Sequence, residues 1–555
     1  MTSTTQFDTV LDKGGTPSGR VTPLELRGLL LDGGELAVFD VRETGVHSRD
    51  GHILLSGSLP LSHLELSIAS LVPRRQTRIV LYDGGDNILA ERAAKKLAEL
   101  GYGNISILSG GTAAWREAGY ELFTGVNVIG KAFGEFVEHF YSTPHLSVSE
   151  VKSRIDAGDN IVVLDSRTLP EFQNFSIPGA IALPGAELVY RFHEVVKDPN
   201  SLVVVNCAGR TRSIIGAQAL IDAGVPNKVA SLENGTMAWL IEGLELDSGK
   251  SNFAPLPTGS ALQEAIAAAN RLKARFGLKT IDKQTLKHFQ NEQDAGVRTL
   301  YLLDVRGQEE FAAGHLPGSR LAPGGQLVQQ TGQWVGSRNS RIVLVDNADG
   351  VRSAITAAWL VRINWAEVYI LEDALTGELV TGAETVDITL PNVETIDPAT
   401  LHQEIENGSV IVIDLDTSLN YERGHIPKAY FAIRSRLADD AARLPGDGSI
   451  ILTSSDGKLA AFAAVDLAAA THRPVRVVAG GTTAWRNAGL PLETGAIALL
   501  HPFEDIWRTP YQYKEQSQRF AAFREYLDWE IELVNQLNRD GTANFRTFAE
   551  DKQSV

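Results

Sequence analysis

The sequence predicts an α/β protein of four tandem, similar domains, each a mostly parallel sheet flanked by helices, followed by a helical C-terminal extension. Two observations predict this fold class. Short runs of β-branched and apolar residues alternate with helical stretches, which is the pattern of βα units in a parallel sheet. One set of motifs also recurs at a spacing of roughly 110–140 residues, the length of a domain rather than of a solenoid unit. A chain of 555 residues is long enough for several such cores.

Each repeat contains a short apolar strand that ends in an aspartate, and in three copies an arginine follows two residues later. The four segments are Phe39-Asp40-Val41-Arg42, Leu164-Asp165-Ser166-Arg167, Leu303-Asp304-Val305-Arg306 and Ile413-Asp414-Leu415-Asp416. A second buried strand comes later in each copy, at residues 79–82, 203–206, 342–345 and 450–453. An Asp–Arg pair at a strand end commonly fixes the neighbouring loop through charge-assisted hydrogen bonds, so we expect these pairs to be structural.

Two turn motifs complete the repeat. The first is Gly-His-Ile or Gly-His-Leu, and the second is a glycine-containing turn followed by tryptophan. The Gly-His motif begins at Gly51, Gly314 and Gly424, and the glycine turns precede Trp115, Trp239 and Trp485. No copy brings a second histidine at metal-ligand spacing, so we expect each imidazole to bind backbone groups. The glycine turns lack the Lys-Ser/Thr of a phosphate loop, so we expect the tryptophans to pack in the core.

The repeats divide the chain into five segments. We expect domains 1 to 4 and the extension at residues 1–125, 126–250, 251–385, 386–495 and 496–555. Residues 126–141 and 260–272 are predicted to form connecting helices, and residues 520–534 have apolar side chains at helical spacing. We expect this last helix to pack on another domain or on a second subunit, which makes the extension a candidate interface for a homo-oligomer.

Cys207 is the only cysteine in the chain. It follows the strand at 203–206 and precedes a predicted helix with Ser213 near its first turn, so the thiol is expected at the sheet edge where α/β proteins bind ligands. Backbone N–H groups and the helix dipole favour an anion there, and Arg210 and Arg212 add two cations. A lone cysteine is most often an inert core residue. In this setting the thiolate is favoured, and we predict a reactive nucleophile.

These residues resemble the rhodanese family of sulfurtransferases, whose active loop opens with cysteine at the end of a central strand and leads into a helix. The family's other marks occur in order, as Leu164-Asp165-Ser166-Arg167, Glu171-Phe172, Ile177-Pro178-Gly179-Ala180, Glu233-Asn234-Gly235 and Ala238-Trp239. Ser176 stands where the family usually has a histidine, a position that is usually structural. The resemblance implies four tandem rhodanese-like domains, with an intact active-site loop in domain 2.

The resemblance further implies a thiosulfate sulfurtransferase in which Cys207 is catalytic and carries a persulfide. Its small-molecule partners would be a donor such as thiosulfate and a cyanide or thiol acceptor. The expected substrate-binding residues are Ala208, Gly209, Arg210, Thr211, Arg212 and Ser213. Asp165 and Arg167 are expected to support the loop, and Arg191 is a weaker candidate for donor contact. We expect no cofactor and no metal ion.

The other three copies have no nucleophile at the position of Cys207. That position holds Asp83 in domain 1, Asp346 in domain 3, and Ser454 or Ser455 in domain 4. None of these side chains can carry a persulfide. Each loop also has an additional acid that would oppose an anionic substrate, namely Asp86, Asp349 and Asp456. We therefore expect domains 1, 3 and 4 to be inactive in sulfur transfer.

Two other functions stay open. Cysteine-dependent phosphatases also place cysteine in a nest before a helix, with five residues between the cysteine and an arginine. Here four residues separate Cys207 from Arg212, and the smaller ring of N–H groups suits one sulfur atom better than a phosphate. A non-enzymatic rhodanese-domain scaffold is the third hypothesis, and it would leave the intact loop of domain 2 idle.

Composition argues against several classes of partner. The net charge of −17 disfavours nucleic acids and anionic membranes. One cysteine excludes an internal disulfide framework and a cysteine-based metal cluster. Residues 1–8 lack a basic region and an apolar core, so no signal peptide is expected. No run of about 18 apolar residues predicts a membrane span, and a cytoplasmic location is the default expectation.

Overall fold

The structure, a computed structural model, describes residues 19–384 and 388–548, so the stretch at 1–8 lies outside the described residues. The first unit contains strands β1 (Gly19–Val21), β2 (Leu36–Asp40), β3 (Gly57–Ser58), β4 (Arg78–Tyr82) and β5 (Ile105–Leu108), with helices α1 (Pro23–Leu31), α2 (Thr44–Asp50), α3 (Leu64–Leu71), α4 (Ile88–Glu99) and α5 (Gly111–Glu117). The second contains helices α6 (Val128–Tyr141), α7 (Val148–Ala157), α8 (Leu169–Asn174), α9 (Glu187–Val195), α10 (Thr211–Asp222) and α11 (Gly235–Ile241), with strands β6 (His145–Leu146), β7 (Ile161–Asp165), β8 (Ile181–Ala182), β9 (Leu202–Asn206) and β10 (Val229–Leu232).

The third unit contains helices α12 (Gly259–Phe276), α13 (Lys283–Asp294), α14 (Gln308–Ala313), α15 (Gly324–Gln329), α16 (Thr331–Trp334) and α17 (Val351–Ile363), with strands β11 (Lys279–Ile281), β12 (Leu300–Asp304), β13 (Arg320–Leu321), β14 (Arg341–Val345) and β15 (Glu367–Leu371). The fourth contains strands β16 (Thr395–Ile396), β17 (Val410–Asp414), β18 (Tyr430–Phe431), β19 (Ser449–Thr453) and β20 (Val475–Val478), with helices α18 (Pro398–Glu406), α19 (Ser418–Arg423), α20 (Arg434–Leu437), α21 (Lys458–Ala468) and α22 (Gly481–Asn487). The extension adds the long helix α23 (Gln516–Asp540).

The four sheets share one topology. Their strand orders are β1-β5-β4-β2-β3, β6-β10-β9-β7-β8, β11-β15-β14-β12-β13 and β16-β20-β19-β17-β18. All the paired strands within these sheets run parallel. The central strands are apolar and covered on both faces, as parallel sheets require; Val203, Val204 and Val205 of β9 are fully buried. The predicted fold class, including the C-terminal helix, is confirmed.

The Asp–Arg pairs fix the loop after the first central strand, as expected. Arg167 donates from Nε to both carboxylate oxygens of Asp165 at 3.0 and 3.1 Å, and from Nη2 to the carbonyl of Phe175 at 2.6 Å. The same arrangement recurs at Asp40–Arg42 and Asp304–Arg306. Domain 4 has no arginine at this place, and burial raises the pKa of Asp414 to about 7. The arginine thus keeps a fully buried carboxylate compatible with the fold.

The turn motifs are structural too. Nδ1 of His315 lies 2.9 Å from the carbonyl of Phe311, and Nδ1 of His425 lies 2.7 Å from that of Tyr421. Ser176 keeps the equivalent backbone pairing, its N–H donating to the Asp247 carbonyl at 2.8 Å. Within residues 19–384 and 388–548 no group of three His, Cys, Asp or Glu side chains is placed to hold a metal ion. The tryptophans of the glycine turns are all in the core, namely Trp115, Trp239 and Trp485.

The helices that flank domain 2 join it to its neighbours. Helix α6 packs on α10, helix α12 packs on both α9 and α17, and α23 packs on α6 and α11 of the same chain. At the contact with domain 3, the Arg352 guanidinium pairs with Glu187, and the Tyr190 hydroxyl donates to Asp349 at 3.0 Å.

In the described part of the chain no helix has both the length and the apolar character needed to cross a membrane.

A buried ion cluster joins domains 2 and 3. Asp222, at the end of α10, receives Nη1 of Arg362 at 2.8 Å and Nη1 of Arg275 at 3.1 Å. The side chains of Asp222 and Arg362 are 0% and 1% exposed. The three residues come from α10, α17 and α12, so the cluster ties the domain contact to the connecting helix.

We predict that Asp222→Asn destabilises this contact by about 3–5 kcal/mol, because it leaves the Arg362 guanidinium buried without its counter-ion. Calorimetry should show a lower unfolding temperature. The control Asp156→Asn removes an exposed pair with Lys152 on α7, which contributes about 0.5 kcal/mol or less. Equal unfolding temperatures for the two variants would contradict the prediction.

Candidate active site

Cys207 lies directly after β9, in a four-residue loop that leads into α10. This is the strand–loop–helix arrangement that the sequence predicts. The thiol donates to Oγ of Ser213 over 3.5 Å, and that hydroxyl donates to the carbonyl of Arg210 at 2.7 Å. Cys207 is only 2% exposed, so the thiol lies beneath the molecular surface.

The two arginines of the loop are paired with carboxylates. Nε and Nη2 of Arg210 bind the two oxygens of Glu135 at 2.8 and 2.9 Å, and Nη2 also pairs with Glu138. Arg212 binds Glu171 through both terminal nitrogens at 2.7 and 2.8 Å. The two cations expected beside the thiol therefore each have a counter-ion, which α6 supplies to Arg210 and α8 supplies to Arg212.

Local sequence explains how Glu171 reaches its partner. Thr168 caps the N-terminus of α8, and its N–H and hydroxyl both bind Oε2 of Glu171 at 3.1 and 2.7 Å. This capping box holds the carboxylate in the first turn of the helix. The pair with Arg212 holds the pKa of Glu171 at about 2, against the effect of its burial. The capping box and the ion pair therefore fix Arg212 on the side of the loop.

Burial raises the pKa of the Cys207 thiol. The charge of Arg212 and the hydrogen bond to Ser213 act in the opposite direction, while the carboxylate of Glu530 adds to the rise. Burial thus outweighs the groups that were expected to favour the thiolate. Sequence reasoning counted the arginines and the helix dipole but not the burial of the thiol in the folded chain.

The C-terminal extension forms a wall over the loop. The hydroxyl of Tyr511 lies 3.3 Å from the carbonyl of Ala208 and 2.7 Å from the hydroxyl of Thr236. A Cβ atom at Gly209 would lie 3.1 Å from Oε2 of Glu530, so this glycine permits the close approach of α23. No local pattern other than the helical spacing at 520–534 points to these contacts, because Tyr511 lies 303 residues from Ala208 in the chain.

A buried lysine lies next to this wall. Nζ of Lys131, on α6, is 4.7 to 5.2 Å from the ring centres of Trp507, Tyr526 and Trp529. Burial lowers the pKa of Lys131 to about 8, and the charge of Glu530 opposes that shift. The aromatic rings stabilise the ammonium through their faces and also shield it from water.

The residues expected to support the loop lie behind it. Nδ2 of Asn206 donates to Asp165 at 3.1 Å, and the hydroxyl of Ser166 donates to the carbonyl of Asn206 at 2.9 Å. These bonds join the ends of β7 and β9 at the point where the loop begins. Nη1 of Arg167 is buried and has no hydrogen-bond partner among the described residues.

A cavity of about 480 Å³ lies between domains 2 and 3. Thr211 and Arg212, in the first turn of α10, form part of its wall together with Arg191. Domain 3 contributes Arg306 and Trp359 to the opposite side. The cavity therefore reaches the helix that begins at the Cys207 loop, and Arg212 is common to both.

Comparison with known proteins places these features in a family. A model of the Rhodanese-like domain matches residues 22–118, 147–242, 283–377 and 397–488. The chain belongs to the rhodanese-like family. The resemblance drawn from the sequence motifs is therefore confirmed.

Similarity to one solved structure extends over nearly the whole chain. The crystal structure of thiosulfate sulfurtransferase from Pseudomonas aeruginosa is 44% identical, covers 96% of this chain and 100% of that chain, and gives a TM-score of 0.90. The putative sulfur carrier protein YrkF of Bacillus subtilis is 26% identical over 129 residues, 21% of this chain and 68% of YrkF. The HTH-type transcriptional regulator Rv0324 of Mycobacterium tuberculosis is 35% identical over 105 residues, 19% of this chain. The match spans 46% of that regulator.

Two of the other rhodanese-like domains fill the equivalent loop with their own carboxylate. Asp83 of domain 1 accepts three backbone N–H groups at 2.9 to 3.2 Å, and Asp346 of domain 3 accepts two at 2.8 Å. The aspartate thus takes the position of an anion in the nest of N–H groups. The domain 3 loop, 346–350, is also one residue longer than the loop at 207–210.

We predict that Arg212→Met raises the pKa of the Cys207 thiol further, because it removes the cation that favours the thiolate. The pH dependence of iodoacetamide labelling, which reports the single cysteine, measures this shift. The control Arg154→Met removes the same charge from the exposed surface of α7 and should leave the titration unchanged. Equal behaviour of the two variants would show that Arg212 does not act on the thiol.

Proposed function

We propose that this protein is a thiosulfate sulfurtransferase of the rhodanese type, in which Cys207 carries sulfur to a cyanide or thiol acceptor. The observation that carries the proposal is the single cysteine between β9 and α10, in a chain 44% identical over 96% of its length to a thiosulfate sulfurtransferase. We propose domain 2, residues 126–250, as the catalytic unit and domains 1, 3 and 4 as non-catalytic in sulfur transfer.

The proposed reaction has two displacements. The Cys207 thiolate attacks the outer sulfur of thiosulfate, a new S–S bond forms, the S–S bond of the donor breaks, and sulfite leaves with the electron pair. The acceptor then attacks the outer sulfur of the persulfide, and Cys207 leaves as a thiolate. The acceptor is external because the chain has no second cysteine, and ping-pong kinetics should result.

The loop residues have different parts in this proposal. Backbone N–H groups from Ala208 to Ser213, at the N-terminus of α10, would stabilise the anionic outer sulfur. Arg212 adds the positive charge that already acts on the thiol. Arg210 is a positioning residue, since Glu135 and Glu138 fix its guanidinium to α6.

We predict that Cys207→Ser abolishes sulfur transfer without unfolding the protein, because serine has nearly the same volume but its hydroxyl cannot hold a sulfane sulfur. After thiosulfate treatment, mass spectrometry should find one added sulfur on the Cys207 peptide of the unaltered protein and none in the variant. Thiosulfate:cyanide turnover should fall to background.

Substantial turnover by Cys207→Ser would refute the proposed mechanism. Phosphate ester hydrolysis by the unaltered protein, without an added sulfur, would favour the phosphatase hypothesis. The absence of both sulfur transfer and phosphate ester hydrolysis would favour the scaffold hypothesis.

A cysteine alone should not activate domain 3. We predict that Asp346→Cys in a Cys207→Ser background shows no sulfur transfer, because the longer loop aims its N–H groups differently. Arg352 is also paired with Glu187 and Glu310 rather than free for a donor. Cyanide-dependent turnover near that of the unaltered protein would show that domain 3 lost only its nucleophile.

A further inference from the structure

The cavity between domains 2 and 3 lies at the carboxyl edge of both sheets. Domain 2 contributes residues that follow β7 and β8 and residues on α10, and domain 3 contributes residues at the equivalent places after β12 and β13 and on α17. They include Ser166, Pro184, Ile215, Val305, Pro323 and Ile355. Open α/β sheets bind their ligands outside the carboxyl ends of the strands. Here two such edges face each other across one cavity.

Two glycine turns let the domains approach closely beside this cavity. A Cβ atom at Gly185, after β8, would lie 2.4 Å from Cα of Gly325, and a Cβ atom at Gly325 would lie 2.8 Å from Cα of Gly185. The two backbones therefore touch where any side chain would separate them. Beside this contact the domains leave a volume of about 480 Å³, which is in the range of pockets that enclose small organic molecules.

The lining of the cavity is mainly apolar. Its larger apolar side chains come from both domains and include Leu169, Ile215, Phe253, Val328, Ile355 and Trp359. Such a lining does not compensate a small dianion such as thiosulfate for its lost hydration. Cys207 is also not among the residues that line the cavity. A ligand that fills this volume therefore has an apolar body and is distinct from the sulfur donor.

The lining also carries charge. In the described part of the chain it includes three guanidinium groups, those of Arg191, Arg212 and Arg306, and one carboxylate, that of Glu187. Both terminal nitrogens of Arg212 are bound to Glu171. Arg306 belongs to the Asp–Arg anchor of domain 3. Two of the three guanidinium groups are therefore committed to carboxylates outside the lining.

Arg191 keeps a free donor. Its Nε is bound to Glu187 and its Nη1 to the carbonyl of Ala254, whereas Nη2 has no hydrogen-bond partner among the described residues. Glu187 also pairs with Arg352, so its charge is shared between two guanidinium groups. A carboxylate or sulfonate oxygen is the acceptor that forms the strongest hydrogen bond with such a donor.

We propose that this cavity binds a small organic anion with an apolar body, and that Arg191 holds the anionic group. The inference goes beyond the proposed sulfur transfer and does not depend on it. It gives domain 3 a function that needs no cysteine, because neither domain forms the cavity alone. It also separates Arg191 from the sulfur donor, for which the sequence made it a weaker candidate.

The test uses two fluorescent probes with the same ring system, anilinonaphthalene sulfonate and the uncharged phenylnaphthylamine. The unaltered protein should bind one equivalent of the sulfonate, and bind it more tightly than the uncharged probe. Arg191→Met should weaken sulfonate binding about tenfold, the lower end for loss of a charge-assisted hydrogen bond, and leave the uncharged probe unaffected. Arg191→Lys, which keeps the charge, should restore part of the affinity.

Further variants tie this binding to the cavity. Val328→Trp fills part of the volume from domain 3 and should abolish binding of both probes. Its matched control is Val465→Trp on α21, where the valine is half exposed, and the control for Arg191→Met is Arg154→Met on the exposed surface of α7. Both controls should bind the probes as the unaltered protein does. If Val328→Trp does not fold, the variants of the partly exposed Arg191 still decide the outcome.

The inference would be overturned if the sulfonate does not bind, or if Arg191→Met and folded Val328→Trp bind it as the unaltered protein does. Displacement of the sulfonate by thiosulfate would also overturn it, because the cavity would then hold the sulfur donor. Unaltered protein that binds the sulfonate but takes up no sulfur from thiosulfate would support this inference and refute the proposed function alone.

Discussion

The enclosure of the Cys207 loop between α6 and α23 is the constraint on which the chemistry of this protein depends. Arg210 couples the loop to α6 through Glu135 and Glu138, and Glu530 on α23 covers it from the other side. Enclosure removes water from the thiol, strengthens each nearby charge and makes an uncompensated anion costly. The electrostatics of the site are therefore set by these packed helices as much as by the loop sequence.

The four domains show which parts of the repeat serve the fold and which serve the site. The parallel sheets and the Asp–Arg anchors persist where the cysteine does not, because they stabilise each core independently of chemistry. The loops after the second central strand differ. Asp83 and Asp346 satisfy their own N–H nests, so these domains need no external anion to complete the loop. In domain 2 the equivalent position holds Cys207, which has no carboxylate to bind the backbone N–H groups of its loop.

Sequence reasoning recovers the features that are local in the chain. The repeats predict the sheets, the histidine turns and the position of Cys207, because each depends on residues within one βα unit. The partners of Arg210 could not be derived in this way, because Glu135 and Glu138 lie on a separate helix. The partner of Arg212 could not be derived either, because a capping box holds the Glu171 carboxylate on α8. Glu530 is beyond reach of any local pattern, because only the packed chain brings α23 to Gly209. The raised thiol pKa could not be predicted either, because it follows from burial of Cys207 in the folded chain.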